Sequence, residues 1–224
     1  MPSRLQPPPD AIVFDFDGVL VDSERLHHAT LCRALAALAP AVPLPTWDDY
    51  RADLLGFDDR DAFAALLPPP PPPDLLSRLI ALKARLFAQD AAAGLVPPIP
   101  ASIDFLRRAA SASIPCALCS GALRSDVLPI LDALGISSCF AAIVTAEDTP
   151  RSKPDPAPYR LARERLLSAC PGRLTPASVL WAVEDAPDGL RSAAAAGLCT
   201  LALATTLPPA ALAPLHPPLL LPSL

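Results

Sequence analysis

Four acidic residues, one lysine and one serine are spaced so that a fold could bring them together in this chain of 224 residues. They are Asp15, Asp17, Ser120, Lys153, Glu184 and Asp185. Carboxylates gathered in one place repel one another, by about 4 kcal/mol per pair at 4 Å with an effective dielectric near 20. A divalent cation removes this repulsion, and oxygen-only ligands suit magnesium, which bridges carboxylates to a substrate phosphate. We therefore expect Mg²⁺ as the cofactor.

Alternating strands and helices are predicted to position these residues. The apolar runs at 11–16, 116–119, 142–145, 178–183 and 200–204 indicate strands, with a possible edge strand at 219–221. The segments near 102–110, 124–134, 156–167 and 188–196 indicate helices. Such alternation predicts an α/β fold with a doubly wound parallel sheet, Rossmann-like, and helices on both faces. Ligands of such sheets bind outside the carboxyl ends of the strands, where the six residues would meet.

A helical segment interrupts this alternation after the first strand. A helix capped by Asp22 or Ser23 runs to about residue 39, and apolar residues at spacings of three and four continue the helical pattern to about residue 95. The sequence therefore predicts a core domain of residues 1–23 and 96–224 and a helical cap domain of residues 24–95. Pro68–Pro73 are expected to form an extended, stiff surface connector, with the alternative that they bind a proline-recognising module.

Composition limits the classes of partner. A net charge of -5 and a pI near 5.1 argue against nucleic acid. The first residues lack the apolar core of a signal peptide, and no run of about 20 apolar residues is free of proline or charge. We expect a cytoplasmic monomer with no membrane partner. Cys116 and Cys119 lie within a predicted strand with no second ligand pair, so we expect neither a zinc site nor a redox role.

The segments that carry the six residues resemble the signature motifs of the haloacid dehalogenase-like phosphotransferases. They are Phe14-Asp15-Phe16-Asp17-Gly18-Val19-Leu20, Ser120-Gly121, Ser152-Lys153-Pro154-Asp155-Pro156 and Val183-Glu184-Asp185. All four follow the family's order, and the similarity covers nearly the whole chain. The resemblance implies a Rossmann-like core with an inserted helical cap (subfamily I), similar to the branch of phosphoglycolate phosphatases and β-phosphoglucomutases.

The resemblance also implies catalytic roles. Asp15 matches the nucleophile, which forms an aspartyl-phosphate, and Asp17 matches the general acid and base. Ser120 and the backbone N–H of Gly121 match the groups that bind the phosphate. Lys153 matches the cation that neutralises the nucleophile and the transferring phosphoryl group.

The metal ligands implied by the resemblance are Asp15, Asp17 through its backbone carbonyl, Glu184 and Asp185. Asp188 lies close to them in sequence, but a carboxylate at the start of a helix is favoured by the helix dipole, and we expect that role for it.

The cap segment carries the predicted substrate-binding residues other than Gly121. They are His27, Gly56, Arg60 and Lys83. Gly56 matches the specificity loop of the mutases, but Leu55 and Asp59 replace the lysine and arginine found there. A sugar bisphosphate needs such cations for its second phosphate, which only Arg60 and Lys83 could still supply.

The resemblance and these departures lead us to predict a phosphoric monoester hydrolase that acts on a small phosphorylated metabolite, with water as the final acceptor of the phosphoryl group. A β-phosphoglucomutase-like mutase is the alternative. A third hypothesis is a catalytically weak member that serves as a binding protein and docks through Pro68–Pro73. The aromatic residues Trp47, Tyr50, Tyr159 and Trp181 are assigned to packing.

Overall fold

The computed structural model describes residues 7–54, 57, 59–222 and 224. Its contacts divide the chain into two compact units, one of residues up to Asp22 together with Pro98–Leu224, the other of Ser23–Pro97. The α-helices are α1 (Ser23–Leu38), α2 (Trp47–Asp53), α3 (Asp59–Leu66), α4 (Pro73–Ala92), α5 (Pro100–Ser111), α6 (Arg124–Ala133), α7 (Ala157–Ala169), α8 (Pro187–Ala195) and α9 (Pro209–Leu212). We call the first unit the sheet unit and the second the helical unit.

The sheet unit is built on a parallel sheet. Its strands are β1 (Ala11–Phe14), β2 (Cys116–Cys119), β3 (Phe140–Val144), β4 (Leu180–Glu184), β5 (Cys199–Leu203) and β6 (Leu219–Leu221), in the order β3-β2-β1-β4-β5-β6. Every neighbouring pair of these strands is parallel. The predicted doubly wound α/β fold is confirmed, and 219–221 form the edge strand. The strand order reverses between β1 and β4, which is where ligands of such sheets bind.

The strands are continuous apolar runs because both faces of the sheet are covered. Every residue of β1, β2 and β4 is buried. Helix α7 packs mainly on β3 and β2 and also contacts β1, and its residues Tyr159, Ala162 and Leu166 are fully buried in one cluster with Val13 of β1 and Ala182 of β4. Tyr159, near the start of α7, therefore shares a buried cluster with residues of the central strands β1 and β4.

Pairing between β1 and β4 sets the register of the two acidic segments. Phe14 is the partner of Val183, and the backbone N–H of Asp15 donates a hydrogen bond to the Val183 carbonyl at 3.0 Å. Asp15 is therefore level with Glu184, the last residue of β4. Parallel pairing places both side chains at the carboxyl end of the sheet.

The helical unit has its own core. Leu31, Leu35, Phe63 and Leu79 are almost completely buried in one cluster between α1, α3 and α4. Helix α2 was not singled out by the sequence pattern. It begins at a capping box, in which the Thr46 side chain accepts from the backbone N–H of Asp49 and Asp49 accepts from the backbone N–H of Thr46.

The proline run differs from the prediction at its last residue. Pro68–Pro73 were expected to be extended throughout, but Pro73 is the first residue of α4. Proline is tolerated there because its fixed φ suits a helix and its missing N–H would have no partner in the first turn. Residues 68–72 belong to neither a helix nor a strand, which agrees with a connector.

The cysteines and the possibility of a membrane-spanning helix were also considered from the sequence. Cys116 and Cys119 are both buried free thiols of β2, and the other four cysteines are also unpaired. Within the part of the chain that the structure describes, no helix combines the length and apolar character needed to cross a membrane.

Candidate active site

Three carboxylates meet at the carboxyl ends of β1 and β4. Asp15 is 8% exposed, Asp185 is 4% exposed and Glu184 is completely buried. One oxygen of each lies within 4.8 Å of an oxygen of the others. Such a group is unstable without compensating positive charge, because each buried carboxylate has lost its hydration and repels its neighbours.

Lys153 supplies part of that charge. Its ammonium donates hydrogen bonds to Asp15 Oδ1 at 2.7 Å, to Glu184 Oε1 at 2.7 Å and to the carbonyl oxygen of Cys119 at 3.0 Å. An ammonium group has three N–H donors, so these contacts use all of them and fix its position. One of only two lysines in the chain therefore bridges the two acidic segments.

The pKa values follow from burial and from this lysine. Burial raises the pKa of Asp15 against the opposing effect of Lys153. Burial, assisted by Asp15, raises the pKa of Glu184 to about 7, and burial together with Asp15 and Glu184 holds the pKa of Asp185 well above its usual range. Burial alone would lower the pKa of Lys153, but the adjacent carboxylates outweigh it and raise that pKa. Lys153 is therefore charged, and one ammonium does not offset three carboxylates.

The arrangement fits a divalent cation. Glu184 Oε2 is buried and has no hydrogen-bond partner, whereas Oε1 has two. A buried carboxylate oxygen without a hydrogen-bond partner needs an explanation, and a bound cation would supply one. Three neighbouring carboxylates offer the oxygen ligands that magnesium prefers. Asp15, Glu184 and Asp185 are the residues that would hold the ion. The half-buried Asp17 does not contribute its carboxylate to this group of three, and ligation through its backbone carbonyl stays a prediction.

Two glycines, to which the sequence pattern gave no role, make room for these carboxylates. Gly18 has a φ of +70°, and a Cβ at this position would overlap the Asp185 carboxylate. Gly189, in α8, lies so close to Glu184 that an added Cβ would overlap its carboxylate. In the sequence, Gly189 could have been noticed only because it lies close after Glu184 and Asp185. The structure is needed to show that it contacts the Glu184 carboxylate.

Ser120 and Gly121 directly follow β2, the neighbour of β1. Ser120 is buried, its N–H donates to the carbonyl of Val144 at 2.9 Å, and its hydroxyl oxygen accepts from the N–H of Ala122 at 3.0 Å. Gly121 is exposed. The structure places both at the same end of the sheet as Asp15, and their phosphate contacts stay a prediction.

The structure brings together two of the predicted substrate-binding residues of the helical unit. Lys83 is 4% exposed, and its ammonium contacts His27 Nδ1 at 2.9 Å and forms an ion pair with Asp59. Burial and then Lys83 lower the pKa of His27 to about 3, so its ring is neutral and Nδ1 accepts the hydrogen bond. Arg60 is exposed, and Leu55 and Gly56 lie outside the described residues.

Tyr159 was assigned to packing, and that assignment was incomplete. Its ring is fully buried, but its hydroxyl donates a hydrogen bond to Glu184 Oε1 at 2.6 Å. Asp188 was expected at the start of a helix, and it lies in the first turn of α8, where it pairs with Arg191 at 2.7 Å.

Residues 9–197 match the haloacid dehalogenase-like hydrolases. The chain belongs to this family. Among its relatives is the phosphorylated carbohydrates phosphatase of Thermotoga maritima, 27% identical over 84% of this chain and 82% of that protein. The haloacid dehalogenase-like assignment confirms the resemblance seen in the motifs, and the chain is accordingly an enzyme, a hydrolase.

Solved structures of the family support the same assignment. CbbY from Rhodobacter sphaeroides is known in complex with phosphate (28% identity, TM-score 0.65) and, as a mutant, with xylulose-(1,5)bisphosphate (27% identity, TM-score 0.66). Each covers 87% of this chain and 85% of that chain. A predicted phosphoglycolate phosphatase from Haemophilus somnus 129pt covers 96% of this chain and 94% of its own with a TM-score of 0.79, and at 18% identity it supports the fold alone.

Magnesium is expected to stabilise this protein at pH 8 and much less at pH 5. Without the ion, the pKa of Glu184 near 7 exceeds its usual 4.5, so the folded protein binds more protons than the unfolded chain between these values. Its contribution to the free energy of unfolding therefore falls as the pH rises through this window, and a cation that binds the ionised carboxylates reverses the loss. We expect melting temperatures at pH 8 to rise by about 5 to 10 °C at a magnesium concentration about 100 times Kd.

The measurement compares melting in magnesium and in chelator from pH 5 to pH 8. Asp185→Asn should remove the difference, whereas Asp188→Asn, the same change at an exposed aspartate, should preserve it. An equal magnesium effect at both ends of the pH range would contradict the assignment of these buried carboxylates as ligands.

Proposed function

We propose that the chain is a magnesium-dependent phosphatase that hydrolyses a small phosphomonoester, such as a sugar phosphate, through an aspartyl-phosphate at Asp15. The observation that carries this proposal is the buried contact of Lys153 with both Asp15 and Glu184. This contact supports the proposal because it joins the carboxylate that we propose as the nucleophile, a fixed cation and the proposed metal-binding group. This is the set of groups that phosphoryl transfer needs, because the protein's task is mainly positioning and charge stabilisation.

In the proposed reaction, an oxygen of Asp15 attacks phosphorus and the bond to the leaving alkoxide breaks. Asp17 donates a proton to that alkoxide, and its carboxylate then takes a proton from the water that attacks the aspartyl-phosphate. Inorganic phosphate leaves and Asp15 is regenerated. Lys153 holds Asp15 in place and stabilises the negative charge on the transferring group. Magnesium, when bound, supplies further positive charge for the phosphate oxygens.

We further propose that residues 24–95 act as a cap domain that recognises the part of the substrate that is not transferred. The Asp59 carboxylate offsets the charge of Lys83, and His27 is neutral. In this cluster of Lys83, Asp59 and His27, the one cation is already paired with a carboxylate, so it is less suited to bind a second phosphate. A substrate with one phosphate and a hydroxylated remainder fits it better than a bisphosphate, which favours the hydrolase over the mutase.

Product analysis with β-glucose 1-phosphate and a sugar-bisphosphate primer tests this proposal. We expect inorganic phosphate to form in the presence of magnesium, with little glucose 6-phosphate and no turnover in chelator. Without a cationic clamp the bisphosphate loses charge-assisted contacts of about 1.5 to 3 kcal/mol each, so water reaches the aspartyl-phosphate first. A panel of other sugar phosphates, assayed for phosphate release, identifies the preferred substrate.

Asp59→Arg is the variant that challenges the specificity argument. It removes the partner of Lys83 and adds a cation, so sugar-bisphosphate affinity should rise about tenfold or more. Asp74→Arg makes the same charge change at an exposed position in the first turn of α4 and should leave that affinity unchanged. Efficient glucose 6-phosphate formation with little free phosphate would favour the mutase instead.

A further inference from the structure

Tyr159 contacts two of the central groups of the site at once. Its hydroxyl donates to Glu184 Oε1 at 2.6 Å, and the Lys153 ammonium lies 5.2 Å from the centre of its ring. That distance is within the range of cation–π attraction. The residue comes from α7, and its ring is fully buried in one cluster with Val13 of β1 and Ala182 of β4. Tyr159 therefore restrains both the lysine and the glutamate.

The two oxygens of Glu184 have different environments. Oε1 accepts from the Tyr159 hydroxyl and from Lys153 at 2.7 Å, whereas the buried Oε2 has no partner. Gly189 lies against the same carboxylate, and any larger residue there would displace it. Rotation of the carboxylate would break two short hydrogen bonds to Oε1. The oxygen without a partner is therefore held in a fixed position, in a carboxylate that has one oxygen within 4.8 Å of oxygens of Asp15 and Asp185.

We propose that Tyr159 is a positioning residue, whose hydroxyl fixes the Glu184 carboxylate so that Oε2 is presented to a divalent cation. Groups that hydrogen-bond to a metal ligand and orient it typically contribute 10- to 100-fold to metal affinity or to activity. Lys153 alone cannot supply this orientation, because its ammonium is also bonded to Asp15 and Cys119. The inference rests on the proposed function only in that the site binds magnesium.

Tyr159→Phe tests the inference because phenylalanine keeps the buried ring and removes only the hydroxyl. We expect the Kd for Mg²⁺, measured by titration calorimetry on the substrate-free protein, to weaken about tenfold. In activity assays the magnesium concentration for half-maximal rate should rise by a similar factor. The KM for an aryl phosphate at saturating magnesium should stay within about twofold of the unchanged protein, since Tyr159 does not bind the substrate.

Tyr50→Phe is the matched control. Tyr50 is also buried and its hydroxyl also donates to a glutamate, Glu24 Oε2, at 2.7 Å, but this pair belongs to the helical unit. The same loss of a tyrosine–carboxylate hydrogen bond should leave the Kd for Mg²⁺ within about twofold. Equal weakening in both variants would show a general effect on the fold and overturn the inference.

A second pair of variants tests whether Tyr159 acts through Glu184. In a Glu184→Gln background, Tyr159→Phe should change the Kd for Mg²⁺ by no more than about twofold, since the carboxylate it orients is gone. A tenfold loss in both backgrounds, or an unchanged Kd in Tyr159→Phe alone, would refute the positioning role. If the unchanged protein does not bind Mg²⁺ at all, the proposed metal-dependent function fails instead, so the two failures are distinguishable.

Discussion

Asp15→Asn should abolish phosphate release, lowering kcat by more than about 1,000-fold. The amide is a poor nucleophile toward phosphorus, and no other residue takes over the covalent step in the proposed reaction. The substitution keeps the size of the side chain, so the fold should persist. It also replaces one of three mutually repelling carboxylates with a neutral group, which favours stability in the absence of metal. An inactive protein that melts no earlier than the unchanged chain is therefore the expected result.

The covalent intermediate provides the direct measurement. Rapid quenching with substrate, followed by intact-mass analysis, should find a phosphorylated form in the unchanged protein and none in Asp15→Asn. Asp17→Asn should slow turnover by roughly 100-fold or more through loss of proton transfer. Asp188→Asn makes the same substitution at an aspartate paired with Arg191 and should retain activity within about twofold. Near-normal turnover in Asp15→Asn would place the nucleophile elsewhere.

The sheet could be read from the sequence because its signals are local. The buried parallel strands are continuous apolar runs, and the motif residues directly follow or end those runs, so their common edge follows from the topology alone. Even the short strand Leu219–Leu221 was recognisable in this way. The family's motif order then suggested a role for each residue at that edge.

Side-chain partners at long sequence separation could not be read in the same way. The Tyr159 hydroxyl contacts Glu184 only because the tertiary packing of α7 against the sheet brings the two together, and an aromatic residue on an apolar helix face usually indicates packing. Likewise, the pairing of Lys83 with Asp59 depends on how α3 packs against α4. The sequence showed that Asp59 replaces an arginine of the mutases and that Lys83 could bind substrate. That the two side chains neutralise each other is a property of the tertiary structure.

Lys153→Met should lower kcat by at least about 1,000-fold, the other large effect we expect. The ammonium contacts Asp15 and Glu184 in the substrate-free protein, and in the proposed reaction it also stabilises the charge on the transferring phosphoryl group. Without it, the pKa of both carboxylates should rise further, because Lys153 lowers them more than any other group does. Asp15 would then hold its proton to a higher pH, and it would be a weaker nucleophile that also lacks the ammonium that positions it.

The pH dependence of stability separates this effect from simple misfolding. At pH 8 the metal-free variant leaves buried carboxylates without their cation, and removing one partner of a buried pair typically costs about 3 to 5 kcal/mol. At pH 5 Glu184 is largely protonated even in the unchanged protein, because its pKa is near 7, so less of the ion pairing exists to be lost. Unfolding in denaturant should therefore show a larger deficit at pH 8 than at pH 5.

Lys83→Met is the informative comparison, because it removes the chain's other lysine, which is also buried and paired with a carboxylate. In the proposed scheme Lys83 belongs to substrate recognition, so its loss should change KM while kcat falls by less than about tenfold. Lys153→Met should instead act on kcat. If the two variants lost kcat equally, Lys153 would have no special part in the phosphoryl transfer step, and the ion pairs at β1 and β4 would be structural.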